Sequence, residues 1–354
     1  MAKRKPKYKP NEGDQTMLAL GDRAAAVYGQ LQQDLVESMI KRITERNAVN
    51  DDLESNPYVW QLQKLQNMNM LNEDVIQAVM ARSGVARDVM ENIFEHEGVK
   101  VYQNTQDELI AQDFSNHLQS KSNDVLDTLK AYENQTMANL DSMINETLLT
   151  TNVVAEKYRQ TLENIVGRVV IGGQTKANAI SDAVMDLMNT KGWLTDKGGH
   201  KWSLEAYART VIQSTTYRVY NELRMSAGRD LGVDTFYMSY HQAARPACSH
   251  IQGHIVTEGK SFRVPASKDP DVGVVYSLND YGYGEPSGVR GINCRHVLTP
   301  FMIGINTMPD RSDLPSPADA EANGKFQAQQ RAIERSVRDA KYKLRAAELL
   351  NDEP

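Results

Sequence analysis

Residues 105–166 contain neither proline nor glycine, the two residue types that most often end or loosen a helix. Apolar side chains recur through this stretch at Phe114, Leu118, Val125, Leu129, Tyr132, Leu140, Ile144 and Leu148. The pattern resumes at Val154, Tyr158, Leu162 and Ile165. Spacings near three, four and seven predict helix. At about 1.5 Å per residue an unbroken helix of this length is a rod on the order of 90 Å long. Such length predicts a coiled coil or an extended helical hairpin, with the polar Lys121-Ser122-Asn123 as a bend. No cofactor motif falls here, and the stripe reads as core or partner-facing.

The flanks are helical too. Leu18, Leu20, Ala24, Val27, Leu31, Leu35 and Ile40 predict a helix over about 15–48, broken at Asn50-Asp51-Asp52 and Asn56-Pro57. A second begins at Asn72, with Val75, Ile76, Val79, Val85, Met90 and Ile93; Gly84 and Gly98 are expected to interrupt and end it. Gly172-Gly173 marks a boundary. Short helix is expected over Thr175–Asn189, and a longer one from an N-cap at Ser203 to about Leu231.

After Gly232 the character changes. Thr235–Tyr240 is β-prone, His254–Thr257 and Val272–Tyr276 are short strand candidates, and Tyr281-Gly282-Tyr283-Gly284-Glu285-Pro286-Ser287-Gly288 must loop. A turn-rich domain of this size has trouble burying enough apolar surface by itself, which is where a metal helps. A last helix over Ser316–Leu350 carries Phe326, Ile333, Val337, Leu344 and Leu349 on one face. It also carries Lys325, Arg331, Arg335, Arg338, Lys341, Lys343 and Arg345.

Charge and composition narrow the function classes. The net charge of −6 argues against coating nucleic acid, although the first ten residues, MAKRKPKYKP, carry five basic side chains and no acidic one. They have no apolar segment behind them, so no secretory signal is expected. No apolar run is long enough for a transmembrane helix. Two cysteines give no disulfide framework, and a reducing cytosol is the expected compartment during synthesis.

Both cysteines and four of the seven histidines lie between His241 and His296: His241, Cys248, His250, His254, Cys294 and His296. Thiolate and imidazole suit a borderline-soft cation such as zinc. There is no C-x-x-C, and the spacing is loose. Three readings stand: a structural metal, two buried free cysteines with hydrogen-bonded histidines, or a catalytic Cys–His pair. His254 reads as an ordinary strand or surface histidine. Arg245 reads as a turn residue that anchors the loop by an ion pair, and Arg295 as a partner for a carbonyl or a thiolate. No H-E-x-x-H, P-loop or G-x-S-x-G motif is present.

An ordered series runs through residues 203–304. It comprises Tyr207-Ala208-Arg209-Thr210, His241-Gln242-Ala243-Ala244-Arg245-Pro246, Gln252-Gly253, Tyr281-Gly282-Tyr283-Gly284, and Gly291-Ile292-Asn293-Cys294-Arg295-His296 with Pro300-Phe301 and Gly304. This series resembles the minor capsid protein 2 family of tailed bacteriophages and, more distantly, the Mu F-like head morphogenesis proteins. The resemblance implies a low-copy structural protein of the phage head, a virion component made in the host cytoplasm. It implies binding to the portal inside the capsid and help in head assembly and in DNA packaging or ejection. Implied partners are the portal protein, scaffold or major capsid protein, and genomic DNA through the basic tail and last helix, with no membrane. The family pattern exchanges His and Cys at the positions of Cys248 and His296, which favours Cys248, Cys294 and His296 as ligands of a structural zinc, with His241 or His250 as the fourth. A toxin domain of the kind some related proteins carry is not expected in the residues after Gly304.

The sequence thus predicts an α+β protein, not an enzyme. A disordered basic tail (1–13) and an extended helical, coiled-coil-like arm (14–171) precede a small, loop-rich α+β module (172–310). A basic C-terminal helix (311–354) follows. The rival is a zinc- or cysteine-dependent hydrolase acting on DNA or peptidoglycan.

Overall fold

The computed structural model describes residues 12–45, 53–54, 57–66, 68–111, 122–148, 151–171, 174–189, 194–195 and 199–351. It is mostly helical with a small mixed sheet, the α+β class expected. Seven helices come first: α1 (Glu12–Thr44), α2 (Pro57–Gln66), α3 (Met68–Asn92), α4 (Gly98–Ile110), α5 (Ser122–Leu148), α6 (Thr151–Val170) and α7 (Lys176–Asn189). A ribbon of β1 (Leu194–Thr195) and β2 (Lys201–Trp202) leads into α8 (Leu204–Asp230). Then come β3 (Thr235–Met238), the one-turn α9 (Pro246–Ser249), β4 (Ile255–Thr257), β5 (Phe262–Arg263), β6 (Val274–Ser277), β7 (Leu298–Pro300) and α10 (Pro317–Asn351). Most of the basic tail lies outside the described residues. So do Phe114, Leu118, Lys121, Asn50-Asp51-Asp52 and Gly172-Gly173.

The helical stretch read at 105–166 falls on the end of α4, on α5 and on α6. Its stripe is core: Val125, Leu129, Leu140, Val154, Tyr158, Leu162 and Ile165 are buried. Asn56 too lies outside the described residues, while Pro57 is the first residue of α2, where a missing N–H costs nothing. Neither Gly84 nor Gly98 acts as expected. The backbone stays helical through both, with a π turn at Ile93–Glu97 joining α3 to α4. Gly98 is a packing residue: a Cβ there would meet Leu129 Cδ2 at 2.7 Å.

The chain divides into two compact units. One comprises residues 1–23, 88–136 and 210–331, and holds the sheet. Its strand order is β5-β6-β4-β3-β7. β3 is antiparallel to β4 and β7, while β4 and β6 run parallel. Alternation on β3 and β4 sends residues to two buried faces. Phe236, Met238 and Val256 join a cluster with Cys248, Cys294 and Leu298, whereas Tyr237 and Ile255 pack with Val264, Val275 and Phe301. A sheet covered on both sides explains why all of β3 is buried. Gly232, at φ 77°, closes the C-terminus of α8 and turns the chain into β3.

The other unit comprises residues 24–87, 137–209 and 332–354. Its core is built from fully buried aromatic and aliphatic side chains, including Tyr28, Leu35, Trp60 and Tyr158. Arg42 pairs with Asp74 at 2.8 Å and Arg82 with Asp34 at 2.8 Å, tying α1 to α3. Ser203 Oγ accepts the N–H of Ala206 at 3.1 Å, the N-cap predicted for α8.

Candidate metal centre

Three segments of the first unit converge behind β3. Cys248 comes from α9, which Pro246 starts at its first position. Cys294 and His296 come from the approach to β7, and His241 from the chain leaving β3. Cys248 Sγ and Cys294 Sγ stand 3.9 Å apart, and Cys294 Sγ is 3.4 Å from Nδ1 of His296. The ligand atoms of these three buried residues all lie within 4.8 Å of one another. The His241 ring leans on that of His296, centroids 4.6 Å apart, but His241 is outside the three-residue set. His250, which follows α9, is exposed and also outside it. His254 contacts the Gln252 carbonyl through Nδ1 at 2.9 Å and meets the Tyr276 ring edge-on, an ordinary structural histidine.

Gln252 sets the protonation pattern. Its Oε1 accepts the backbone N–H of His241 at 3.0 Å, and a backbone N–H can only donate. The same oxygen is 3.0 Å from Nε2 of His296, so Nε2 carries the proton. In the neutral imidazole this leaves Nδ1, the nitrogen facing Cys294, without a proton. His241 is set in a similar way. Its ring donates to the Arg295 carbonyl, while its Nε2 is buried without a hydrogen-bond partner. Gln252 Nε2 is also buried and unpartnered.

The thiols differ sharply. A hydrogen bond from Cys248 pulls the Cys294 thiol well below its ordinary range, against the burial that raises it. The same bond, together with burial, pushes the Cys248 thiol up. Burial, then the neighbouring His296, lowers the His241 pKa.

The cradle is glycine-dependent. Gly253, at φ 72°, lies against Leu314, which a Cβ would meet at 2.9 Å. In the tyrosine–glycine loop a Cβ on Gly288 would fall 1.9 Å from the carbonyl oxygen of Gly282. Arg245 anchors this loop through the carbonyls of Pro286, Ser287 and Ile292, and not through the ion pair expected of it. Arg295 binds the side-chain oxygen of Gln213 at 3.0 Å. Arg290, buried, donates to the Arg218 carbonyl at 3.0 Å and covers the Tyr283 ring. Asn221 on α8, which sequence reading passes over, donates to the His296 carbonyl at 3.0 Å and accepts the Leu298 N–H at 2.6 Å. No motif flags it, because one buried asparagine on an apolar helix face carries no spacing signal.

A family model described as phage minor capsid protein 2 matches residues 13–354. The chain belongs to this family. Among similar proteins is a structural protein of Lactococcus phage LL-H, 34% identical over 334 residues, covering 92% of this chain and 88% of that protein. A structural protein of Lactococcus phage mv4 is 40% identical over 76 residues, covering 22% of this chain and 60% of that protein. No solved structure matches the chain. The minor capsid protein 2 chain is thus a structural protein of a phage virion, and the resemblance carried by residues 203–304 extends over nearly the whole sequence. Among its described residues, no helix is long and apolar enough to cross a membrane.

The donor set fits a zinc ion. Two thiolates at about 2.3 Å from tetrahedral zinc stand about 3.8 Å apart, and a thiolate and an imidazole nitrogen about 3.5 Å apart. The observed 3.9 Å and 3.4 Å match both. In the neutral imidazole the nitrogen facing the cysteine is the one free of a proton.

Proposed function

We propose that this minor capsid protein is a low-copy component of the phage head that binds the portal inside the capsid and assists head assembly and DNA packaging or ejection. The observation that carries the reading is the outer face of α10. Phe326, Ile333, Val337 and Leu344 are 69%, 66%, 50% and 61% exposed. They follow one another at seven, four and seven residues, so all four point the same way. Scattered apolar residues on a surface need no explanation, but an aligned row along one helix marks a protein-binding face. The portal protein is the partner proposed to receive this helix. The basic residues beside the row, including Arg331, Arg335 and Arg338, are exposed and suit either an acidic partner or DNA phosphates.

The chain acts as a scaffold and not as a catalyst. A nucleophilic cysteine needs access to substrate, and Cys248 and Cys294 are 0% and 8% exposed. Quantitative mass spectrometry of particles and empty procapsids, counting this chain against portal and major capsid protein, tests the reading. A few copies, up to about one per portal subunit, are expected in both. Absence from particles would overturn it.

A further inference from the structure

We propose that Cys248, Cys294, His296 and His241 form a closed Cys₂His₂ zinc site that staples the sheet-bearing unit, with Gln252 as its positioning residue. The inference is independent of the portal reading.

Two buried thiols beside two histidines are not in themselves a metal site, since thiols pack well as small apolar groups. Three features separate this cluster from ordinary packing. The separations of Cys248 Sγ from Cys294 Sγ and of Cys294 Sγ from His296 Nδ1 are those of ligands on one tetrahedral ion. Both imidazoles have one nitrogen held by an oxygen acceptor, Gln252 Oε1 for His296 and the Arg295 carbonyl for His241, which leaves the other nitrogen bare. This is how metal-ligating histidines are held in register. Finally, Nε2 of His241 is an acceptor in a buried place with nothing to accept from. Such a group is rare unless an ion or water belongs there.

His241 stands just outside the three-residue set. Its ring lies 4.6 Å from that of His296, centroid to centroid, and is the proposed fourth ligand; a site closed by protein ligands is structural. The ion would tie the helix α9 to the chain leaving β3 and the approach to β7, which are themselves paired through the Ser239 N–H and the Val297 carbonyl. It would supply cross-linking that a small, turn-rich unit otherwise lacks.

The test uses the full chain, purified under reducing, chelator-free conditions with zinc in the medium. Elemental analysis is expected to give one zinc per chain, and stripping with a chelator is expected to lower the melting temperature until zinc is restored. Cobalt substitution reads the ligand set directly. The wild type is expected to show the intense visible bands of tetrahedral cobalt with thiolate ligands. His241→Ala should weaken those bands while keeping the thiolate charge-transfer band. Gln252→Ala should keep the stoichiometry and lose about 10–100-fold in zinc affinity. A wild-type protein that carries no zinc, takes up none and gains no thermal stability from it overturns the site, whatever the variants do. Unchanged cobalt bands in His241→Ala overturn the fourth ligand, and unchanged affinity in Gln252→Ala overturns the positioning role.

Discussion

Asn221 grips His296 by the backbone: its Nδ2 donates to the His296 carbonyl at 3.0 Å while its Oδ1 takes the Leu298 N–H at 2.6 Å. The same Nδ2 reaches the Tyr217 carbonyl at 2.8 Å, so one side chain stitches α8 to the start of β7. Asn221→Ala leaves two buried backbone groups unpaired and should cost about 2–4 kcal/mol, read from urea denaturation. Asn221→Asp keeps the acceptor but aims a carboxylate at two carbonyls, so it should be no better than alanine. Wild-type stability in either variant would show that the grip is ornamental.

Two glycines should respond in opposite directions. At Gly288 an added methyl lands on backbone, 1.9 Å from the Gly282 oxygen, and backbone cannot step aside. Gly288→Ala should lose more than about 4 kcal/mol or fail to accumulate as folded protein. Gly84 sits inside α3 with nothing within 4 Å of its would-be Cβ. Gly84→Ala should gain about 0.5–1 kcal/mol by removing helix-interior flexibility. Melting temperatures of the two variants moving the same way would contradict this assignment.

Replacing Phe326, Ile333, Val337 and Leu344 together by glutamine should leave stability within about 0.5 kcal/mol of wild type, since all four are at least half exposed. The same variant should be depleted from assembled particles. Normal incorporation, measured by mass spectrometry, would send the search for the docking face elsewhere.

His254 offers a test of acid sensitivity. Burial lowers its pKa below the ordinary value of 6.5. The unfolded chain therefore binds a proton at higher pH than the folded one, and stability falls as pH drops from about 6.5 toward the folded value. Above that window the residue contributes no pH dependence. His254→Gln should flatten this part of the urea-midpoint profile below pH 6.5, and an unchanged slope would show that His254 is not among the groups responsible.

Much of this architecture is legible in sequence because periodicity reports burial. The predicted strands at 235–240, 254–257 and 272–276 correspond to β3, β4 and β6, and the predicted last helix to α10. Phe262–Arg263 and Leu298–Pro300 escape notice, being too short to show alternation and dependent on their partners for strand character. Gly98 misleads because a glycine looks the same in sequence whether it ends a helix or lets another helix approach. The Cys/His cluster stands out by composition alone. Gln252 does not, since its role depends on one oxygen meeting His241 and His296 at once, a coincidence that only the fold creates.

The row on α10 also acts as a ruler. Phe326 and Leu344 are eighteen residues apart, five turns of helix, so the row is about 27 Å long. Its seven–four–seven rhythm repeats at one turn only between Ile333 and Val337. A receiving groove displaced by four residues would keep one large apolar side chain of the four, Val337 in one direction and Ile333 in the other. A partner groove of matching length and spacing would therefore hold the helix better in this seating than in its four-residue neighbours.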